Sequence, residues 1–160
     1  MTNSSPALSE IISFSKDVLK NLEIYKNPNK LYSPINYIIS NKGKQIRGIL
    51  AFLTYNMFGG SLRDLKELVL AIEGLHNFTL IHDDVMDNAT LRRGVKTINK
   101  KWSINQAILS GDALLIIAYK HLVNSKIINN TVLKNFTNTA LQICEGQQLD
   151  FDLQLKKRIK

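Results

Sequence analysis

A chain of 160 residues, 44% of them apolar, has the size of one domain with a substantial core, and this composition excludes a disordered chain. The net charge of +8 raises the question of nucleic-acid binding, but Lys and Arg are scattered and the one dense run, Lys156-Lys157-Arg158-Ile159-Lys160, lies at the end. Without Cys/His finger spacing or strands carrying interleaved aromatics, no nucleic-acid partner is expected.

All three prolines, Pro6, Pro28 and Pro34, fall near the start. Beyond them apolar residues recur at spacings of three and four, which predicts an all-α protein. A first amphipathic helix is expected from Ala7 to about Leu22, followed by a turn at Lys26–Asn29. A short helix is expected after Ser33, whose hydroxyl can cap it with Pro34 at the first helical position. Gln45 to about Met57 makes a third, stopped by Gly59-Gly60. Ser61 and Asp64 have the spacing of a capping box, with Asp in the Glu position, and open a long helix to about Met86. Its middle, Leu68-Val69-Leu70-Ala71-Ile72, is apolar on every side, as in a central buried helix. Two more helices are expected near Ser103–Asn124 and Asn130–Asp152. With no repeat and no linker, residues 1–160 read as a single helical domain.

The single cysteine, Cys144, rules out an internal disulfide and is expected to be a small buried hydrophobe in a reducing compartment. No run approaches the ~18 apolar residues of a membrane span. The start, Met-Thr-Asn-Ser-Ser-Pro-Ala, lacks a secretory pattern. A cytoplasmic location is therefore expected.

The most informative stretch is residues 81–97, where Asp83, Asp84 and Asp87 precede Arg92 and Arg93. His76, Thr79, Asp83 and Asp87 share one face of the central helix. Carboxylates on so apolar a helix have to be paired, solvated or metal-bound. Asp83 and Asp87, one turn apart, can present oxygens to one region, and hard oxygen donors favour Mg²⁺ over zinc. Acids at a helix C-terminus also oppose the macrodipole, a cost that bound cations offset. A plain solvated helix end is the competing explanation of the cluster.

Gly43-Lys44-Gln45-Ile46-Arg47 opens a helix, where free N–H groups and the positive dipole attract anions and where Lys44 and Arg47 can both reach a ligand. Adjacent arginines such as Arg92 and Arg93 point to different sides and could serve two diphosphates. Gly111-Asp112 and Gly146-Gln147-Gln148-Leu149-Asp150 place polar groups inside apolar helices, where another helix or a ligand comes close.

In order, Gly43-Lys44-x-x-Arg47, His76, Leu80-Ile81-His82-Asp83-Asp84-x-x-Asp87, Arg92-Arg93-Gly94, Gly111-Asp112 and Gly146-Gln147-x-x-Asp150 resemble the trans-isoprenyl diphosphate synthases, the polyprenyl synthetase family. The resemblance covers about residue 30 to the end. It implies an isoprenoid-synthase helical bundle around a central cavity and head-to-tail condensation of isopentenyl diphosphate with an allylic diphosphate. It implies that Asp83 and Asp87 bind Mg²⁺ bridging the allylic diphosphate, with Asp84 in support and Arg92 in contact with that diphosphate. Lys44, Arg47, His76 and Arg93 match the family's isopentenyl diphosphate pocket, and Gln147 and Asp150 line the same cavity. Product length in the family depends on bulk below the first aspartate cluster. Phe78, with the smaller Thr79 next to it, therefore implies a short C15–C20 product.

The resemblance shows three departures. Gly48 stands where the family usually has proline, and Lys96 replaces a proline common between Gly94 and Thr97. The family pattern also continues beyond Lys160 with a second aspartate-rich motif. This chain therefore corresponds to the N-terminal half, expected to act as a homodimer or with a complementing C-terminal half. Apolar faces that such a half exposes predict self-association. A non-catalytic regulatory or split-subunit partner of a full-length synthase is the alternative, although the intact aspartate cluster argues against a regulatory role. A terpene cyclase is disfavoured because it has no use for the Gly-Lys-x-x-Arg pocket.

Overall fold

The computed structural model describes residues 8–20, 27–41 and 43–158. Their order is α1 (Leu8–Lys20), α2 (Asn29–Ser40), α3 (Ile46–Met57), α4 (Leu62–Met86), β1 (Leu91–Arg92), β2 (Val95–Lys96), α5 (Ile98–Lys101), α6 (Ile104–Asn124) and α7 (Asn130–Arg158). The fold is all-α, with one two-stranded hairpin among the described residues. Two compact units divide between Ile127 and Ile128. Ala7, Leu22 and Lys26, which bound the first expected helix and turn, lie outside the described residues.

The first unit is built around α4 and its pairing with α6. On α6, Ala107, Ser110, Gly111, Leu114, Ile117, Ala118, His121 and Leu122 are buried, the three-and-four spacing of one helix face. Small residues bring the two axes together. A Cβ on Gly74 would lie 3.0 Å from that of Ala118, and one on Gly111 would lie 2.4 Å from His82 Nε2. Gly111 thus marks a helix crossing, one of the two uses the sequence allowed for it. Val69, Leu70 and Ala71 of α4 are fully buried, as its apolar middle requires. Val69 and Leu70 meet Ile11 of α1, Ile35 of α2, Phe52 of α3 and Leu114 of α6 in one core. Phe52 has no exposed surface and takes the ring of Phe14 edge-on at 5.2 Å. Truncating such a residue to alanine costs about 3–5 kcal/mol.

Local signals account for most helix ends. Gly59, at φ +80, donates to Asn56 O at 2.9 Å, and Gly60 donates to Tyr55 O at 3.0 Å, so the glycine pair ends α3 as expected. Ser103 caps α6 by accepting the Gln106 N–H at 3.1 Å. Ser61 holds the N-cap position of α4, but its side chain makes no cap hydrogen bond, so the expected capping box does not form.

The expected start of α2 is corrected. No helix begins after Ser33. Instead α2 starts at Asn29 with Pro28 at the cap, and Pro34 lies inside it. Pro28 O accepts the first helical N–H groups, and the Ser33 hydroxyl bonds the Asn29 side chain instead of capping. Pro34 forfeits one backbone bond in the second turn, and its burial with Ile35 and Ile38 offsets that loss. By length and composition alone α6 is long and apolar enough to cross a membrane, although Asp112 and Lys120 interrupt its apolar run. Its packing against α4 accounts for much of that apolarity.

In the second unit, α7 runs to Arg158, past the expected end at Asp152. Asn129 Oδ1 accepts the Val132 N–H at 2.9 Å at its start. Cys144, expected to be buried, is exposed, because most side chains of α7 face solvent.

Candidate active site

The stretch before α3 is turned by Gln45, whose backbone is left-handed at φ 51, ψ 32. Non-glycine residues adopt this conformation at a cost and mostly where a site requires it. Lys44 before the turn and Arg47 after it line one pocket of about 440 Å³ with Gly43, Glu73, His76, Asn77 and Arg93. Four groups expected to act together, Lys44, Arg47, His76 and Arg93, thus surround a single volume.

His76 Nε2 lies 3.2 Å from Arg47 Nη1. Burial and the charges of Arg47, Arg93 and Arg92 hold the His76 pKa down to about 4. The imidazole is therefore neutral near pH 7, with Nε2 as acceptor and the proton on Nδ1. Arg93 donates from Nη1 to Asn41 O at 2.9 Å. Its guanidinium occupies the space beside Gly43, where a Cβ would come within 2.7 Å of it.

Arg92 and Arg93 diverge, as adjacent residues on a hairpin must. Leu91 pairs with Lys96 and Arg92 with Val95. Arg93 and Gly94 form the two-residue turn at φ 54 and φ 81, the positive pair of a type I′ hairpin. Arg92 turns back to α4, its Nε 2.8 Å from Asp84 Oδ1. The Lys96 carbonyl accepts the Tyr37 hydroxyl at 2.9 Å.

The three aspartates have different surroundings. Asp84 is 3% exposed and tied to Arg92. Asp83 is half-buried, and Asp87 is exposed at the helix cap. Burial raises the carboxyl pKa of Asp83, with neighbouring Asp87 and Asp84 adding to the rise and Arg92 opposing it. Burial raises that of Asp84 as well, against the hydrogen bond and charge of Arg92. A cation at the cluster would relieve both. Among the described residues no three acidic, histidine or cysteine groups are placed to hold a metal by themselves. Oxygen donors of this kind fit a cation that phosphate oxygens also coordinate.

Phe78 and Thr79 separate. Thr79 lies on the face of His76 and donates from Oγ1 to His76 O at 2.8 Å. Phe78 faces the other way, its ring 4.5 Å from that of His82. Gln147 and Asp150 belong to α7, in the second unit, where Asp150 accepts from Gln154 Nε2 at 2.9 Å.

Sequence reasoning passed over Gln45, Asn77 and Glu73. Glu73 accepts the Gly48 N–H at 3.1 Å. Burial raises its carboxyl pKa, while that bond and the charges of Arg47 and Arg93 pull the other way. A lone acid in the apolar run ahead of His76 was the available signal.

Residues 28–160 match the polyprenyl synthetase family. The chain is 37% identical over 137 residues to the geranylgeranyl diphosphate synthase of Methanosarcina mazei, covering 82% of this chain and 42% of that protein. It is 32% identical over 157 residues to the geranylgeranyl diphosphate synthase of Sulfolobus acidocaldarius, covering 95% and 47%. A crystal structure of a geranylgeranyl pyrophosphate synthase superposes with a TM-score of 0.86 at 39% identity, over 92% of this chain and 46% of that one. That of Geoglobus acetivorans superposes at 0.81 and 30% identity, over 91% and 48%. The chain thus spans about half the length of the relatives it matches. It belongs to the polyprenyl synthetase family.

Proposed function

We propose that this chain carries the isopentenyl-binding half-site and the first metal-binding cluster of a trans-prenyltransferase. The observation that carries this reading is the convergence of Lys44, Arg47, His76 and Arg93 on one pocket, with a separate acidic cluster farther along α4. The reaction joins isopentenyl diphosphate to an allylic diphosphate. The allylic C–O bond breaks with loss of diphosphate, the isopentenyl double bond attacks the resulting carbocation, and a proton leaves to the departing diphosphate. The names of the relatives, geranylgeranyl diphosphate synthases among them, support a short C15–C20 product.

In this scheme Lys44, Arg47 and Arg93 hold the isopentenyl diphosphate electrostatically, and neutral His76 donates through Nδ1 or accepts from Arg47. Asp83 and Asp87 would hold Mg²⁺, with Asp84 supporting them through Arg92. An Mg²⁺ held there would neutralise diphosphate charge and make it a better leaving group. Arg92 contacts the allylic diphosphate, and the family resemblance alone assigns Gln147 and Asp150 of α7 to substrate binding. The protein contributes position and charge.

A homodimer in the cytoplasm, within one helical domain per chain, completes this reading. Ile104, Ile108, Leu109, Ile116 and Val123 leave an apolar row exposed on α6, which supports association between copies. Sedimentation of the purified chain should give twice its mass.

In a second reading the chain is a split subunit whose site a C-terminal half completes. Labelled isopentenyl diphosphate offered with C5, C10 and C15 allylic primers and Mg²⁺ distinguishes the two. Products that vanish on chelation support the catalytic reading. Binding without turnover supports the split subunit. Neither binding nor turnover contradicts both.

A further inference from the structure

A buried carboxylate at the wall of a cationic pocket works against anion binding, so its presence calls for a physical reason. Glu73 is 5% exposed and lines the pocket beside Arg47, His76 and Arg93. Its Oε1 accepts the Gly48 N–H at 3.1 Å. Gly48 is the third residue of α3 and follows Arg47 directly. At that position the N–H has no partner within its own helix, since the first helical bond runs from Ile49 N to Gln45 O at 3.1 Å. Glu73 therefore caps α3 from across the α3–α4 packing, with its charge at the positive end of the dipole.

Glycine at 48 is what permits this approach. A Cβ there would lie 3.0 Å from Val69 Cγ1 and 3.1 Å from Ser15 Oγ, and a proline at this position would have no N–H to give. We infer that Glu73 is a positioning residue of the pocket: by clamping the Gly48 N–H it fixes the first turn of α3 and holds Arg47 at the diphosphate position. This inference rests on the reading of the pocket as a diphosphate site.

Two effects of Glu73 on an anion have opposite signs. Its charge repels the ligand, and its clamp places the cation that attracts it. Glu73→Gln removes the charge and keeps the acceptor, whereas Glu73→Ala removes both. Calorimetric titration with isopentenyl diphosphate and with inorganic diphosphate separates the two effects. Glu73→Gln should bind at least as tightly as the unaltered chain, and Glu73→Ala about tenfold more weakly than Glu73→Gln. Equal affinities in the two variants would show that only charge matters and would overturn the inference.

Exchange of the Gly48 amide, followed by NMR without ligand, tests the clamp independently of any diphosphate. Slow exchange in the unaltered chain and in Glu73→Gln, with fast exchange confined to the start of α3 in Glu73→Ala, supports it. Equal exchange in all three overturns it. If the unaltered chain binds neither probe, the diphosphate reading fails, and the amide measurement still decides the clamp.

Discussion

Arg92 Nε and Asp84 Oδ1 are 2.8 Å apart, with the Asp84 side chain almost fully buried and that of Arg92 about one-third exposed. This pair ties the hairpin to the C-terminal end of α4, and Asn99 Nδ2 reinforces it by donating to Asp84 O at 3.1 Å. Asp84 therefore has a structural partner that neither Asp83 nor Asp87 has. Asp84→Ala should destabilise the fold by about 1.5–3 kcal/mol, the value of a hydrogen bond to a charged group. Asp83→Asn should leave stability unchanged or raised, because it removes a half-buried carboxylate crowded by two others, while abolishing Mg²⁺-dependent binding of an allylic diphosphate. Thermal melts and metal-dependent titration of the two variants test this contrast. Equal loss of stability in both would contradict it.

Gly43 matters for the space it leaves. The Arg93 guanidinium fills the position that a Cβ would take. Gly43→Ala should push Arg93 off its hydrogen bond to Asn41 and weaken diphosphate binding by about tenfold, the scale of one charge-assisted contact. The melting temperature should hardly move, since a guanidinium at a surface pocket relocates easily. A large drop in melting temperature with affinity preserved would assign Gly43 to the backbone instead.

The neutral state of His76 makes stability depend on pH. Its pKa is about 4 in the folded chain against an ordinary 6.5, so between those values the unfolded histidine binds a proton that the folded one refuses. The stability it contributes is complete above 6.5 and is lost as pH falls toward 4. The raised carboxyls of Glu73, Asp83 and Asp84 act in the opposite sense, losing stability as pH rises through their folded values. His76→Gln isolates the histidine: its melting temperature should fall less than that of the unaltered chain between pH 6.5 and 4. Parallel curves would show that His76 titrates normally.

Phe78 is five residues before Asp83, about 7.5 Å along the helix axis. Phe78→Ala in an assembly that turns over should lengthen the product if this ring floors the cavity. Because the ring packs against His82 on the face of α4 away from His76, the experiment also decides which side of α4 a growing chain follows. Product analysis that finds unchanged lengths would remove Phe78 from that role.

The sequence made the helices legible where periodicity was long, and left the short connections unread. α4 ends at Met86, as its apolar period and acid cluster indicate. α3 stops at the glycine pair because only a positive φ continues the chain there. The hairpin at Leu91–Lys96 was missed because strands of two residues carry no alternation. Its only signal was Arg93-Gly94, read for charge instead of for a type I′ turn. Ser33-Pro34 misled because the pair has the form of a helix cap and first-turn proline, whereas α2 already starts at Asn29 and carries Pro34 inside it. In the site, the long-lived signals were charges with a shared face. Glu73 escaped because its partner is a backbone N–H on another helix, which no spacing rule reports.

The most direct test of the account is calorimetric titration of the purified chain with isopentenyl diphosphate in the absence of Mg²⁺. The account predicts one site per chain, with affinity falling by about 30-fold or more in Arg47→Ala, roughly 2 kcal/mol for a charge contact in a partly desolvated pocket. Absence of binding, or binding that Arg47→Ala leaves intact, would contradict the assignment of the pocket formed by Lys44, Arg47, His76 and Arg93.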